Sequence, residues 1–156
     1  LFDLLTAGED EVRANRFDIP LLCERLRIVH RWLAGRAEVA GLPIGFFGAS
    51  TGAAAALSAA ADLGDEVSAV VARGGRPDLA GDALERVAAP VLLIVGGLDT
   101  TVIELNQQAY ERLAGPKDLE IVEGATHLFE EPGTLEQVAD GATTWFRRHL
   151  MGTEDG

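Results

Sequence analysis

Residues 43–61 read PIGFFGASTGAAAALSAAA, passing from a short apolar run through Gly-x-Ser-x-Gly into an alanine-rich segment. This order predicts a strand, a sharp turn at Ser50 and a helix. Small neighbours let a serine sit on a strained corner with its hydroxyl exposed above a sheet, which is the arrangement of a nucleophile elbow. The chain has 18 glycines in 156 residues. At that frequency, about 0.04 matches are expected by chance for a serine with glycine both two positions before and two positions after it.

Apolar runs alternate with helical patterns along the whole chain. Strands are predicted at 1–5, 44–47, 67–72, 91–95 and 119–122, and helices from Asp18 to about Gly35, over 53–61, briefly from Asp82 to 87, over 101–113 and over 134–150. Apolar strands joined by helical crossovers form parallel sheets that are covered on both faces. The sequence therefore predicts a single α/β domain over residues 1–151, a three-layer α/β/α structure with a mostly parallel sheet, and a disordered tail at 152–156.

Composition narrows the functional classes. The formal net charge of -12 argues against nucleic acid or an anionic membrane as a partner. Cys23 is the single cysteine, so the chain can form no internal disulfide and no cysteine-based zinc cluster, and we expect a cytoplasmic setting. No apolar stretch approaches the roughly twenty residues needed to cross a bilayer.

Candidate chemistry lies in the loops that follow strands, because ligands bind at the carboxyl ends of parallel strands. Ser50, Asp99 and His127 follow the second, fourth and fifth predicted strands. A serine hydroxyl becomes a nucleophile when an imidazole accepts its proton, and a carboxylate holds the other ring nitrogen in the required tautomer. The sequence therefore predicts a Ser-His-Asp triad, with the backbone N–H of Thr51 as one donor to the developing oxyanion.

Each triad residue also has a simpler interpretation. Ser50 would then be a turn residue with small neighbours for close packing, Asp99 the cap of a helix beginning at Thr100, and His127 a hydrogen-bonded loop histidine. His149 follows Arg147 and Arg148 at the end of a predicted helix, where a positive charge favours the helix dipole. Each simpler interpretation is plausible for its own residue. That all three hold together is less plausible than a triad.

Three segments, FFGASTGAAAAL, VLLIVGGLDTTV and GATHLFEEPG, together resemble α/β hydrolases of the dienelactone-hydrolase-like branch. The resemblance implies an open sheet, with Ser50 as nucleophile, Asp99 as acid and His127 as base, and cofactor-free hydrolysis of an ester, lactone or related acyl compound. Dienelactone hydrolases themselves carry cysteine where this chain has Ser50, so dienelactone is not assumed as the substrate.

The start of the chain departs further from the family pattern. The family's second oxyanion amide comes from a His-Gly loop upstream of the strand that LFDLLT resembles, and an early strand lies between that strand and the elbow strand. Both are absent from this sequence. We therefore expect an N-terminally incomplete α/β-hydrolase fold, whose sheet is completed by a missing N-terminal segment or by another subunit.

Substrate recognition is assigned to Arg73, since a guanidinium beyond a strand end can bind a carboxylate. Surface ion pairs of Arg73 or Arg76 with Asp78 or Asp82 are an equal alternative. The sequence predicts a small-molecule acyl substrate, no cofactor and no metal site, and leaves a homo-oligomer possible. The alternative function is a non-catalytic hydrolase-like module for interaction or regulation, fused to an upstream domain.

Overall fold

A four-stranded, fully parallel sheet organises the computed structural model, which describes residues 1–151. The strands lie side by side in chain order: β1 (Gly45–Ala49), β2 (Ala69–Arg73), β3 (Val91–Gly96) and β4 (Lys117–Val122). The predicted parallel sheet is confirmed, and four of the five predicted strands are present, with each end within two residues of its expected position.

Helices cover both faces of the sheet. The helices of the chain are α1 (Ala7–Asp10), α2 (Ile19–Ala34), α3 (Thr51–Leu63), α4 (Thr100–Arg112) and α5 (Thr134–Leu150), with 3-10 segments at Arg13–Phe17, Ala37–Val39, Gly64–Glu66 and Pro77–Arg86. Of these helices, α1 has no buried residue. Residues of α2, α3 and α4 share one buried cluster with one face of the sheet, and residues of α5 form a second cluster with the other face. The predicted three-layer arrangement is therefore confirmed.

The two central strands are buried on both faces, as their apolar sequences require. Val70 packs toward α3 and Val71 toward α5, and neither is exposed to solvent. On the α3 side the alanines at 53–56 are at most 1% exposed. Their small side chains bring the helix close to the sheet, and this proximity fixes the position of the turn at Ser50.

The prediction of a strand at residues 1–5 is wrong. Residues 1–5 form no regular element, and Leu4 and Leu5 instead lie partly buried against the cluster that contains α2. A strand needs a partner for its backbone groups, and β1 pairs only with β2 among the described residues. The helix expected from Asp82 is part of a 3-10 segment interrupted at Gly81, whose φ is 54°.

No helix within residues 1–151 combines the length and the apolarity that a membrane span requires. The predicted tail at 152–156 lies outside the described residues.

Candidate active site

Ser50 occupies a sharp turn between the end of β1 and the start of α3. Its φ of 51° and ψ of -122° lie in a region that favours glycine, and such backbone strain costs on the order of 1–3 kcal/mol. Although Ser50 holds the N-cap position of α3, its side chain makes no capping hydrogen bond. The hydroxyl is therefore not used by the helix, and the strained corner has the geometry predicted for a nucleophile elbow.

The two glycines that flank Ser50 have different roles. A Cβ on Gly48 would lie 2.4 Å from the carbonyl oxygen of Gly52 and 2.8 Å from the Cα of Ala53. A Cβ on Gly52 would meet no atom within 4 Å. Of these two glycines, Gly48 is the one that close packing requires, because the first turn of α3 lies directly on the end of β1.

Asp99 and His127 are brought together from the ends of β3 and β4. The Oδ2 atom of Asp99 lies 2.7 Å from Nδ1 of His127. The Asp99 side chain is 18% exposed and the His127 side chain 40%. Asp99 does hold the N-cap position of α4, but its carboxylate makes no capping bond. The acid therefore binds the imidazole, as a triad requires.

Backbone contacts between the loops fix the position of this pair. Leu98 N–H donates to the carbonyl oxygen of Ala125 at 2.9 Å. A Cβ on Gly96 would lie 2.5 Å from the carbonyl oxygens of both Ala125 and Thr126. The loop that carries Asp99 therefore crosses the loop that carries His127 at a point where only glycine fits.

Glu131 ties the His127 loop to the helix that follows. Its carboxylate accepts the N–H of Thr126 at 3.0 Å, and its carbonyl oxygen accepts both the N–H and the hydroxyl of Thr134 at the start of α5. The hydrogen bonds from Thr126 lower the pKa of the Glu131 carboxyl. Sequence reasoning missed this residue, since a glutamate in a charged loop carries no distinguishing pattern.

Ser50 and His127 approach the same short segment, residues 73–76. Ser50 N–H donates to the carbonyl oxygen of Arg73 at 3.2 Å. A Cβ on Gly74 would lie 3.2 Å from the carbonyl oxygen of His127 and 3.6 Å from its Cε1. No hydrogen bond joins Ser50 to His127 among residues 1–151. The Gly-Gly pair that follows β2 is the sequence signal for this close approach, since glycines allow backbones to come near one another.

The predicted oxyanion donor is free of internal partners. Thr51 is the first residue of α3, and within the described part of the chain its N–H donates to no backbone or side-chain acceptor. An N–H at a helix N-terminus next to the nucleophile can stabilise negative charge that develops on a substrate oxygen.

The two arginines after β2 differ. Arg76 forms a bidentate pair with Asp78, both distances being 2.8 Å, as the surface ion-pair alternative expected for it. Arg73 has no ion-pair partner within residues 1–151, and its guanidinium lies 5.4 Å from the ring centroid of Phe129. Burial lowers the pKa of the Arg73 guanidinium.

A cavity of about 880 Å³ extends from the elbow along the open edge of β1 to α2. Ala49, Thr51 and Arg73 line it at the elbow end, and Phe47 and His30 line it farther along the edge. Among the described residues no cluster of three or more His, Cys, Asp or Glu side chains is placed to hold a metal ion.

The parallel sheet, its helical layers and the strained strand-to-helix turn are those of an α/β hydrolase. A model described as the dienelactone hydrolase family matches residues 18–150. The chain belongs to the dienelactone hydrolase family, which confirms the resemblance seen in the three sequence segments.

The solved structures share the fold of this chain, and the curated relatives carry a different name. A dienelactone hydrolase structure from Anabaena variabilis is 52% identical with a TM-score of 0.91, covering 95% of this chain and 70% of that chain. An esterase domain from Rhodothermus marinus is 22% identical with a TM-score of 0.69, covering 82% and 69% of the two chains, and shows the fold alone. Two Mycobacterium tuberculosis proteins, each named "Putative phosphoribosyl transferase", are 62% identical over 152 residues, 97% of this chain. This chain spans only 34% of their length.

Proposed function

We propose that the protein is a serine hydrolase acting on an ester, lactone or related acyl substrate, with Ser50 as the nucleophile. The observation that carries the proposal is the 2.7 Å contact between Asp99 and His127. Neither the carboxylate of Asp99 nor the hydroxyl of Ser50 is used to cap the helix that it precedes. Both side chains therefore remain available for chemistry.

The proposed reaction proceeds through an acyl-enzyme. Ser50 Oγ attacks the acyl carbon while His127 Nε2 accepts the hydroxyl proton, and Thr51 N–H donates to the oxyanion. Collapse of the tetrahedral intermediate breaks the bond to the leaving oxygen, which takes the proton from His127. Water then gives a proton to His127 and attacks the acyl carbon. The second collapse releases the acid and returns the proton to Ser50.

This mechanism requires His127 to reach Ser50 when substrate is bound. The His127 side chain is 40% exposed, so its imidazole has room to move toward Ser50. Catalytic hydrogen bonds are often long in free enzymes and tighten in the substrate complex. Gly74 lets the backbone of His127 lie close to the segment, because a Cβ there would lie 3.2 Å from the carbonyl oxygen of His127.

Arg73 is proposed to bind a carboxylate on the substrate. Its guanidinium is partly buried and stacks on Phe129, and it is unpaired within the described residues of an acidic chain. A partly desolvated cation favours an anionic ligand. Arg73 also pairs in register with Ala49, the residue before the nucleophile.

A further strand is proposed to pair with the open edge of β1. Ser50 N–H and Ile44 C=O bond toward β2, so by alternation Gly45, Phe47 and Ala49 direct their backbone groups away from it. Phe47 is also 50% exposed. The relatives are about three times as long as the match, so we propose that the strand comes from the remainder of a longer polypeptide.

The loop after such a parallel strand would end beside Ser50 and could supply the second oxyanion donor. Adding the unmatched part of the Mycobacterium tuberculosis relative to the 156-residue chain should give a 1:1 complex and slow the amide exchange of Phe47. Unchanged exchange, or self-association of the chain instead, would contradict this pairing.

The lone Cys23 is buried on α2, and burial raises the pKa of its thiol. With no second thiol for pairing, a reducing cytoplasmic setting is part of the proposal.

A fluorophosphonate probe tests the hydrolase assignment directly. The wild-type chain should be labelled once, and Ser50→Ala should abolish both labelling and ester hydrolysis. Ser58→Ala, on the same helix, should retain both and serves as the matched control. A wild-type chain that resists the probe, or a Ser50→Ala variant that retains hydrolysis, would favour the non-catalytic module.

Release of diphosphate from phosphoribosyl diphosphate by the wild-type chain would instead favour the activity in the relatives' name.

A further inference from the structure

The segment from Arg73 to Arg76 connects the two halves of the candidate site. On the elbow side, Ser50 N–H donates to the carbonyl oxygen of Arg73 at 3.2 Å, and Arg76 N–H donates to the carbonyl oxygen of Ser50 at 3.1 Å. The backbone of the nucleophile is therefore held on both sides by this segment.

The opposite side of the segment faces the base. Gly74 has a φ of 51° and lies against the carbonyl oxygen and ring of His127, while a Cβ on Gly75 would lie 2.6 Å from the Cβ of Ala53 on α3. The two glycines thus place the segment in close contact with the His127 loop and with the helix that follows Ser50. A shift of the segment would change the separation between nucleophile and base.

Asn106 on α4 holds this segment in place through a side-chain hydrogen bond to Gly75. Its side chain is fully buried, and its Nδ2 donates to the carbonyl oxygen of Gly75 at 3.0 Å and to that of Val102 at 2.8 Å. Its Oδ1 is buried without a partner in the described structure. A buried amide with an unpaired oxygen costs free energy. The bond to Gly75 therefore indicates a role other than packing.

We propose that Asn106 is a positioning residue that sets the separation between Ser50 and His127 by holding Gly75. Asn106 touches neither substrate nor the reacting atoms, and it acts through the segment from 73 to 76. The inference rests on the proposed hydrolase function for its catalytic consequence. Its structural consequence, the immobilisation of the segment, does not depend on that function.

The test compares Asn106→Leu and Asn106→Asp with wild type at a temperature where all are folded. We expect Asn106→Leu to lower kcat and the rate of fluorophosphonate labelling about 10- to 100-fold with KM within about threefold, because a small displacement near reacting groups costs up to ~10²-fold. A buried aspartic acid can donate to Gly75 only while protonated, so the activity of Asn106→Asp should decline at alkaline pH where the wild-type profile is flat. Leu113→Ala, a core truncation just beyond the same helix, should lower thermal stability and leave the labelling rate of the folded protein unchanged.

Amide hydrogen exchange separates failure of this inference from failure of the proposed function. In Asn106→Leu the amides of Ser50 and Arg76 should exchange faster relative to those of β3, whether or not the chain is a hydrolase. A wild-type chain that resists the probe refutes the hydrolase function, and exchange then decides the positioning role alone. Unchanged exchange at Ser50 and Arg76, or a labelling loss that Leu113→Ala reproduces, would overturn the positioning role.

Discussion

Oδ2 of Asp99 lies 2.7 Å from Nδ1 of His127, although the two residues are 28 positions apart in the chain. A carboxylate at Nδ1 favours the tautomer with its proton on that nitrogen, which leaves the Nε2 lone pair free to accept a proton. Asp99 is the less exposed partner of the pair. The carboxylate therefore holds the His127 imidazole from its buried side, and the rest of the ring stays accessible to a substrate.

Replacing Asp99 by asparagine should separate chemistry from folding. We expect Asp99→Asn to lower kcat for ester hydrolysis by about 10³–10⁴, because an amide at Nδ1 supports the wrong tautomer. Thermal stability should change little, since the Asp99 carboxylate makes no capping bond to α4. Asp82→Asn, which alters an exposed partner of Arg112, is the control and should hydrolyse esters normally. A large loss of stability in Asp99→Asn would indicate that the residue serves the helix after all.

Two glycine substitutions at the elbow should have opposite effects. Gly48→Ala should destabilise the fold by about 1–3 kcal/mol, because its Cβ would lie 2.4 Å from a backbone oxygen that cannot move away easily. Gly52→Ala should be neutral or stabilising by up to ~1 kcal/mol, since it places a better helix former in open space at the start of α3. Urea unfolding of both variants at pH 7 measures the difference. Equal effects would mean that the elbow relaxes around Gly48.

The sequence predicted that Ser50, Asp99 and His127 follow strand ends, and the structure has them there. Parallel strands place their following loops at one edge of the sheet. The prediction failed at residues 1–5. Their apolar pattern is typical of a strand, but the described sheet contains only β1 to β4, and Leu4 and Leu5 pack against the core instead. Local pattern cannot show whether a neighbouring strand is present. Asn106 and Glu131 were missed for a related reason, because their hydrogen bonds to Gly75 and Thr126 exist only after the loops have come together.

Arg73 should matter for charged substrates and not for neutral ones. We expect Arg73→Gln to raise KM for the 4-nitrophenyl monoester of glutaric acid by about 10- to 30-fold, the loss of one charge-assisted contact. KM for neutral 4-nitrophenyl butyrate should stay within about threefold. Arg76→Gln is the matched control, because Arg76 already pairs with Asp78. If the two esters respond alike to Arg73→Gln, the guanidinium does not bind the substrate carboxylate.

His149 should make the fold less stable in mild acid. Its ring packs on Trp145 with centroids 4.3 Å apart, and its Nε2 is buried without a partner in the described structure. Burial, and then the charge of Arg148, lower the pKa of His149 below 6.5. The unfolded chain therefore binds more protons below pH 6.5, and the stability present above that pH is lost as the pH falls toward the folded-state pKa.

The expected result is that His149→Phe loses less stability than wild type between pH 7.5 and pH 5.5, as measured by urea unfolding at both values. The comparison isolates His149, because the other histidines, His30 and His127, are retained in both proteins. Val138→Ala, a truncation of a buried side chain on the same helix, should lower stability by similar amounts at the two pH values. If His149→Phe loses as much stability as wild type on acidification, proton uptake at His149 is not linked to unfolding, and packing on Trp145 is its whole contribution.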